Sequence, residues 1–540
     1  MPPLEIEGFL SDERSVNPLK RNETSADKRR GEAEVVTNWR SIYAASTFYF
    51  LSSITMHAIS ANAYPYLGRL DKNRSEAWFG MCFGASKVSV QGIMWNHFAC
   101  IVFQIGQAFT LVVGSILTNR TQKYRLSFLF GRILCIAGLI GYGVAGMFAV
   151  NNRKYLILCA FFLVGASEGT LVLIRGYGPR FSSISDRVQA MSYITAGGLG
   201  GILFGPLINL IFSFLGNEDL FHFVIDWNLF TLPCIVLIIL NIIALIFPFF
   251  MDEPTVVHRP HIRSHSSIID RFVHTMASLF DHIDIPLLFV LLAVKATSDG
   301  SIFAVLTTLV QHLAAVSNSE KPVRVLVFSG GQIFAGLLSG AFAAIYSIFM
   351  SSKRIFHPTL SLIYSLVIFS GYALISVPWP FANPVILYNN VTSPNGCETD
   401  KFTWCETTSL MNLWVWFVFG CIFMGITMPL SLISQDTLYS RILENSRRTD
   451  LFQGLYGLVD CITLTIVPWK IGGLYSSLGP FTLYSIVAIV LLVTCGLVAV
   501  FIPRFKQVIE QKEPIEKRDT RDAREIQWRY NNMPLEENSM

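Results

Sequence analysis

The chemistry open to this chain rests on a few ionisable residues set inside long apolar runs. Glu168 and Arg175 are separated by seven positions, Lys295 and Asp299 by four, and Asp460 and Lys470 by ten. An ionised side chain at mid-bilayer costs on the order of 2.5 to 3.5 kcal/mol even on the lenient insertion scale, so each needs a partner, water or a task. The spacing of Glu168 and Arg175 predicts one helix face, about 10 Å apart, too far for contact and suited to a polar track. Arg175 can equally end its span and snorkel to the boundary. Lys295 and Asp299 can pair on one face, either as a fixed structural pair or as one that a substrate or proton opens by competing for a partner. Asp460 and Lys470 fall roughly 80° apart around a helix and are expected to meet different neighbours. Arg132 is expected at the lipid headgroups, and His57 and His97 as satisfied hydrogen-bonders.

Other chemistry is absent from the pattern. The run His258-Arg259-Pro260-His261-Ile262-Arg263-Ser264-His265 has no cysteine or carboxylate, and its arginines oppose a cation, so no metal is expected there. A basic, lipid-facing connector open to phosphorylation at Ser264, Ser266 or Ser267 is the simpler reading. No nucleotide loop, metal-protease helix or nucleophile motif occurs. Neither catalysis nor a cofactor is expected.

The elements that must position these charges are membrane spans. Hydrophobic residues make up 52% of the chain and charged residues 14%, against roughly 25% charged in a soluble domain. Twelve apolar runs of spanning length begin near Ser41, Trp95, Leu126, Tyr155, Gln189, Leu229, Ile285, Val325, Pro358, Leu410, Leu451 and Phe481. The division this predicts is a tail over 1–40, a six-span half over 41–250, a linker over 251–284, a second half over 285–503 and a tail over 504–540. Lys20, Arg21, Lys28, Arg29, Arg30 and Arg40 in the first tail, with Arg120, Lys123, Arg125, Arg180, Arg187, Lys353, Arg354, Arg441, Arg447 and Arg448 in the even loops, put both tails in the cytosol. The net charge of +4 reflects that bias and carries no nucleic-acid signal.

Acceptor sequons at Asn73 and Asn390 fall in the opposite, lumenal loops and are expected to carry sugar. Cys397 and Cys405 share the second of these loops, where an oxidising compartment and close spacing predict a disulfide. Residues 78–94 are read as loop, and 266–282 as an amphipathic helix lying on the membrane surface.

The two halves echo each other. Ser185-Asp186-Arg187-Val188-Gln189 precedes Gly205-Pro206 as Arg448-Thr449-Asp450-Leu451-Phe452-Gln453 precedes Pro468, which predicts interrupted helices at matching places. Gly114-Ser115-Ile116-Leu117-Thr118-Asn119-Arg120 resembles the loop signature of major facilitators, in which a Gly admits close packing and charges latch one gate state; Asn119 stands in the usual acidic place. Gly197, Gly198, Gly200, Gly201, Gly205 and Pro206 resemble the glycine-proline motif of a fifth span.

Over nearly all of the membrane region the chain resembles the family of major facilitator superfamily domain-containing protein 8, the lysosomal protein of neuronal ceroid lipofuscinosis type 7. The resemblance is carried by Trp39-Arg40-Ser41-Ile42, Tyr64-Pro65-Tyr66-Leu67, Arg175, Gly205-Pro206, Gly396-Cys397 with Trp404-Cys405, and Thr437-Leu438-Tyr439-Ser440-Arg441-Ile442-Leu443. The eleventh span departs from it, reading Ile466-Val467-Pro468-Trp469-Lys470, so a divergent member is expected.

The resemblance implies an all-α membrane protein of the major facilitator superfamily fold, twelve transmembrane helices in two pseudo-symmetric six-helix halves. It also implies an endolysosomal address, which Tyr530 and Met533 fit as a sorting signal for adaptors. The function expected is alternating-access transport of a small, anionic solute coupled to protons. Glu168, Arg175, Lys295, Asp299, Asp460 and Lys470 form its pathway, and Gly114, Arg120, Gly201, Gly205, Pro206 and Pro468 its gating and packing points. The alternatives are an endolysosomal chloride channel, with Arg175, Lys295 and Lys470 supplying positive potential, and a non-transporting scaffold or receptor.

Overall fold

The computed structural model describes residues 37–70, 90–148, 150–183, 186–213, 221–222, 226–227, 231–253, 283–316, 334–346, 357–379, 404–409, 413–443 and 449–510. Before residue 254 the helices are α1 (Trp39–Leu70), α2 (Val90–Thr121), α3 (Arg125–Gly143), α4 (Val150–Val172), α5 (Ile174–Arg180), α6 (Arg187–Ser213) and α7 (Leu232–Ala244). After residue 282 come α8 (Ile285–Val316), α9 (Phe334–Tyr346), α10 (Pro358–Ile375), α11 (Leu413–Ile422), α12 (Met428–Ile442), α13 (Thr449–Val500) and α14 (Ile502–Glu510). We refer to these as the first and second sets.

Nine helical stretches among the described residues are long and apolar enough to cross a membrane, which makes this a multi-pass membrane protein. The spans expected near Ser41, Gln189 and Val325 correspond to α1, α6 and the shorter apolar α9. Large apolar side chains lie exposed on the outer faces, among them Phe109, Phe130, Phe289 and Val493. That is the arrangement lipid demands and water forbids. One ladder departs from the all-helical expectation: Phe221–His222 pairs antiparallel with Asp226–Trp227.

Each set has its own core. In the first, Phe48, Leu111, Phe128 and Tyr177 pack together, as do Ile54, Phe103, Leu139 and Leu237. In the second, Leu287, Leu366, Phe423 and Tyr484 belong to one large cluster. The sets meet where α2 packs on α13 and α6 packs on α12. Val188 joins Tyr346, Leu430 and Ile433 across the second of these contacts.

Glycines set the closest approach within the first set. A Cβ on Gly201 would lie 2.1 Å from Ser53 Oγ, and one on Gly205 2.6 Å from His57 Cβ and 2.7 Å from the Ala58 nitrogen, so α6 lies backbone-to-backbone on α1. A Cβ on Gly114 would meet Leu173 Cδ1 at 3.0 Å.

The helix interruptions are not where the prolines predict. The backbone stays helical through Pro206 in α6 and through Pro468 in α13. A kinked helix can keep its regular dihedrals when neighbours absorb the lost hydrogen bond. Three other places break the pattern. Between α4 and α5 the backbone N–H of Gly176 donates to Leu173 O at 3.0 Å, a tightened turn. Between α11 and α12 lies a π turn, Phe423–Thr427, where Pro429 has no N–H to offer Gly425. Gly479 divides α13 with φ 77° and ψ 171°, a conformation reserved for glycine.

Two boundaries also shift. Helix α2 begins at Val90, so 90–94 are helical where a loop was expected, and after the last apolar stretch, which ends at Val500, the chain continues as α14 with Phe505 buried. Asn73, Asn390, Cys397, Tyr530, Met533 and the amphipathic segment 266–282 lie outside the described residues. Cys405 is buried.

Candidate functional site

Between the two sets lies a cavity of about 160 Å³, lined by Tyr49 and His57 of α1, Arg175 of α5, Lys295 and Asp299 of α8, Asp436 of α12 and Asp460 of α13. It has room for several waters and is smaller than the pockets of roughly 300 Å³ and more that take drug-sized ligands.

Its charges come from both sets. Arg175 Nε lies 3.8 Å from Asp436 Oδ2, and Arg175 Nη1 lies 3.9 Å from Asp460 Oδ2. Lys295 is paired with Asp299 one turn along α8, reaches Asp460 Oδ2 at 3.9 Å, and sits 5.1 Å from the centre of the Tyr456 ring. Asp460 therefore serves both cations and ties the sets together.

The helix breaks explain the placement. Arg175 sits just past the tightened turn at Leu173, and Asp436 two turns past the π turn. Ser298, Ser431, Gln435 and Tyr456 back the acids: Gln435 Nε2 donates to Ser298 Oγ at 2.8 Å and to Ser431 Oγ at 2.7 Å, and Tyr456 OH to Gln435 Oε1 at 3.3 Å. His57 donates from Nδ1 to the Ser53 carbonyl at 2.9 Å and presents its other edge to the cavity.

Of the residues expected in the pathway, Arg175, Lys295, Asp299 and Asp460 converge here; Glu168 and Lys470 are not among the lining residues. Arg175 is a cavity residue, with its side chain only 14% exposed, and does not snorkel. Glu168 lies in the first set within charge range of Arg132 and of the cavity residue Tyr49. Lys470 is exposed.

Arg132 itself is fully buried, contrary to the headgroup position expected. It donates to Asn241 Oδ1 at 3.0 Å and to the Ser167 carbonyl at 3.4 Å, and stacks 5.6 Å from the Phe48 ring centre. Burial of this kind is the alternative to snorkelling when an amide, a carbonyl and a ring face can be reached.

Sequence reading missed Asp436, although it is an acid inside an apolar run. It also missed Asp450, which was noted only as part of a repeat.

Asp450 closes one end of the bundle. It accepts from Arg180 Nη2 at 2.6 Å and from Tyr124 OH at 2.5 Å, and Arg180 also donates to Gln122. Burial raises the Tyr124 hydroxyl well above the usual tyrosine range, so it stays a donor. This is the end where the chain enters α1, since Thr37 donates to Asp186 and the Asn38 N–H to the Phe181 carbonyl.

Arg120, the cation expected in a latch, is exposed, and the cation that pairs across the sets at this end is Arg180, with Asp450 of the second set. Gly454 and Gly457 bring α13 close at the same level. A Cβ on them would lie 2.4 Å from Ser115 Oγ and 2.6 Å from Val172 Cγ1.

Two helical sets packed through α2, α6, α12 and α13 around a charged central cavity make up the major facilitator fold. The chain matches the solved structure of the human organic anion transporter MFSD10 (TETRAN) with a TM-score of 0.59 at 12% identity, over 85% of this chain and 99% of that one. In sequence it is similar to major facilitator superfamily domain-containing protein 8 of Xenopus laevis, 23% identical over 526 residues, 91% of this chain and 96% of the relative. No family model matches the chain.

Proposed function

We propose that this chain is an alternating-access carrier: two six-helix halves, meeting at the linker 251–284, rock about the central cavity and move a small polar solute with a proton. The observation that carries this reading is the ion network spanning both sets, with Arg175 of α5 facing Asp436 and Asp460 of α12 and α13 at 3.8 and 3.9 Å. Rocking the halves must stretch these contacts, so occupancy of the cavity and the position of the gate share one free energy. A proton taken up by Asp299 or Asp460 is the coupling ion, and Lys295, which contacts both, is the counter-charge that responds to its loss. Carboxylates outnumber cations here by three to two, which argues against a chloride pathway. The fold relative named as an organic anion transporter supports transport of a small solute as the activity.

We propose the endolysosomal membrane as its place and both tails as cytosolic, with sugar on Asn73 and Asn390, a Cys397 to Cys405 disulfide, and Tyr530 with Met533 read by sorting adaptors.

The test compares solutes in organelles from cells lacking the chain, rescued by the wild type or by Lys295→Ala, matched for glycosylation and abundance. A solute that builds up without the chain is expected to fall with the wild type and stay high with Lys295→Ala. Equal clearance by both removes Lys295 from the mechanism.

A further inference from the structure

The cations of the cavity are not equally committed. Lys295 is held by two aspartates and the Tyr456 ring. Arg175 is not: its contacts to Asp436 and Asp460, 3.8 and 3.9 Å, are about 1 Å longer than a charge-assisted hydrogen bond of ~2.8 Å. Arg175 Nη1 is buried with no hydrogen-bond partner among the described residues, and so is Oδ1 of Asp436, whose side chain is 6% exposed. A donor and an acceptor, each on a charged residue that lines one small cavity, thus have bonding capacity unspent. Leaving such groups unpaired is costly, and a partner that completes both at once recovers that cost.

The charge count narrows the partner. The lining carries Asp299, Asp436 and Asp460 against Arg175 and Lys295, one acid in excess. The coupling proton of the proposed carrier cycle, held on Asp299 or Asp460, cancels that excess. What remains is one cation and one anion, side by side and each short of a bond. A simple anion would satisfy Arg175 and strand Asp436; a simple amine would do the reverse. We propose that the cavity binds a small zwitterion of the amino-acid type, its carboxylate on Arg175 and its protonated amine on Asp436. The inference rests on the carrier reading and names its solute class. The cavity, about 160 Å³ in volume, has room for a solute the size of a free amino acid.

The probes are the protein L-amino acids, added singly to the purified full-length chain, with thermal stabilisation as the readout. Each one that stabilises is then compared with its decarboxylated amine and its deaminated acid. At least one amino acid is expected to raise Tm, and both fragments are expected to bind about 10- to 100-fold more weakly, because each leaves one buried charge unpaired. Asp436→Asn is expected to weaken the amino acid by a similar factor while leaving the acid fragment unchanged. Asp436→Glu, which keeps the charge, covers the case in which the amide does not fold. Stabilisation by the amine or the acid alone as strong as by the parent, or none by any amino acid, overturns the proposal. In proteoliposomes, flux of a monoamine or monocarboxylate without zwitterion flux sinks this inference and leaves the carrier; no flux of any class sinks the carrier itself.

Discussion

Asp450→Asn isolates the latch that closes the tail end of the bundle. The carboxylate is 1% exposed and joins the sets through Arg180 at 2.6 Å and Tyr124 at 2.5 Å. Both partners belong to the first set, so these bonds exist only while this end is shut. The amide is the same size but carries no charge, and the loss falls on two charge-assisted bonds, each worth about 1.5 to 3 kcal/mol. Arg180 is 20% exposed and regains water when released, so the net cost to the closed state is about 2 kcal/mol, on the order of 30-fold in the gate equilibrium. Spin labels on the exposed Arg120 and Lys506, one in each set, report the gap at this end by pulsed electron resonance. The ratio of short to long distances is expected to fall by that factor. Tyr124→Phe, which removes one bond and no charge, is expected to shift it about 5-fold. Unchanged distance distributions in Asp450→Asn would refute the idea that this contact sets the gate.

Two further substitutions probe the packing and the second buried charge. Gly205→Ala forces a methyl to 2.6 Å from His57 Cβ and 2.7 Å from the Ala58 backbone; a loss of about 1 to 3 kcal/mol is expected as a lowered Tm, whereas Gly340→Ala, with open space around it, is expected to be neutral or mildly stabilising. Arg132→Gln shortens the side chain that donates to Asn241 and to the Ser167 carbonyl and is expected to cost about 1 to 3 kcal/mol, read as a lowered Tm; an unchanged Tm would show that these bonds add nothing to the fold.

Hydropathy made the membrane class legible because lipid allows few ways to satisfy a backbone. The pairing of Lys295 with Asp299 was legible too, since i and i+4 on a helix are neighbours whatever surrounds them. Residues related by longer spacing were not. Glu168 and Arg175 share a face on a regular helix, but the tightened turn at Leu173 intervenes, and Arg175 found its acids on two other helices. Arg132 looked peripheral because position along a span gives depth and not direction; Asn241, which receives it, lies 109 residues away. Asp436 was legible as a lone acid in an apolar run, but its role depends on the π turn that Pro429 imposes upstream, and no periodicity announces that turn. The prolines misled in the other direction: Pro206 and Pro468 mark no break, while Gly479 does. A Gly becomes a break only when its neighbours demand positive φ, here beside Trp404, whose ring atoms leave no room for a Cβ.

The central claim is that solute crosses by alternate exposure of one cavity. Counterflow in proteoliposomes under a clamped potential tests it most directly, with a labelled amino acid outside and the same amino acid, unlabelled, inside. The account predicts saturable uptake accelerated by the internal solute, lost in Lys295→Ala and Asp460→Asn, with no unitary current. A steady chloride conductance that survives both substitutions, without counterflow, would contradict it.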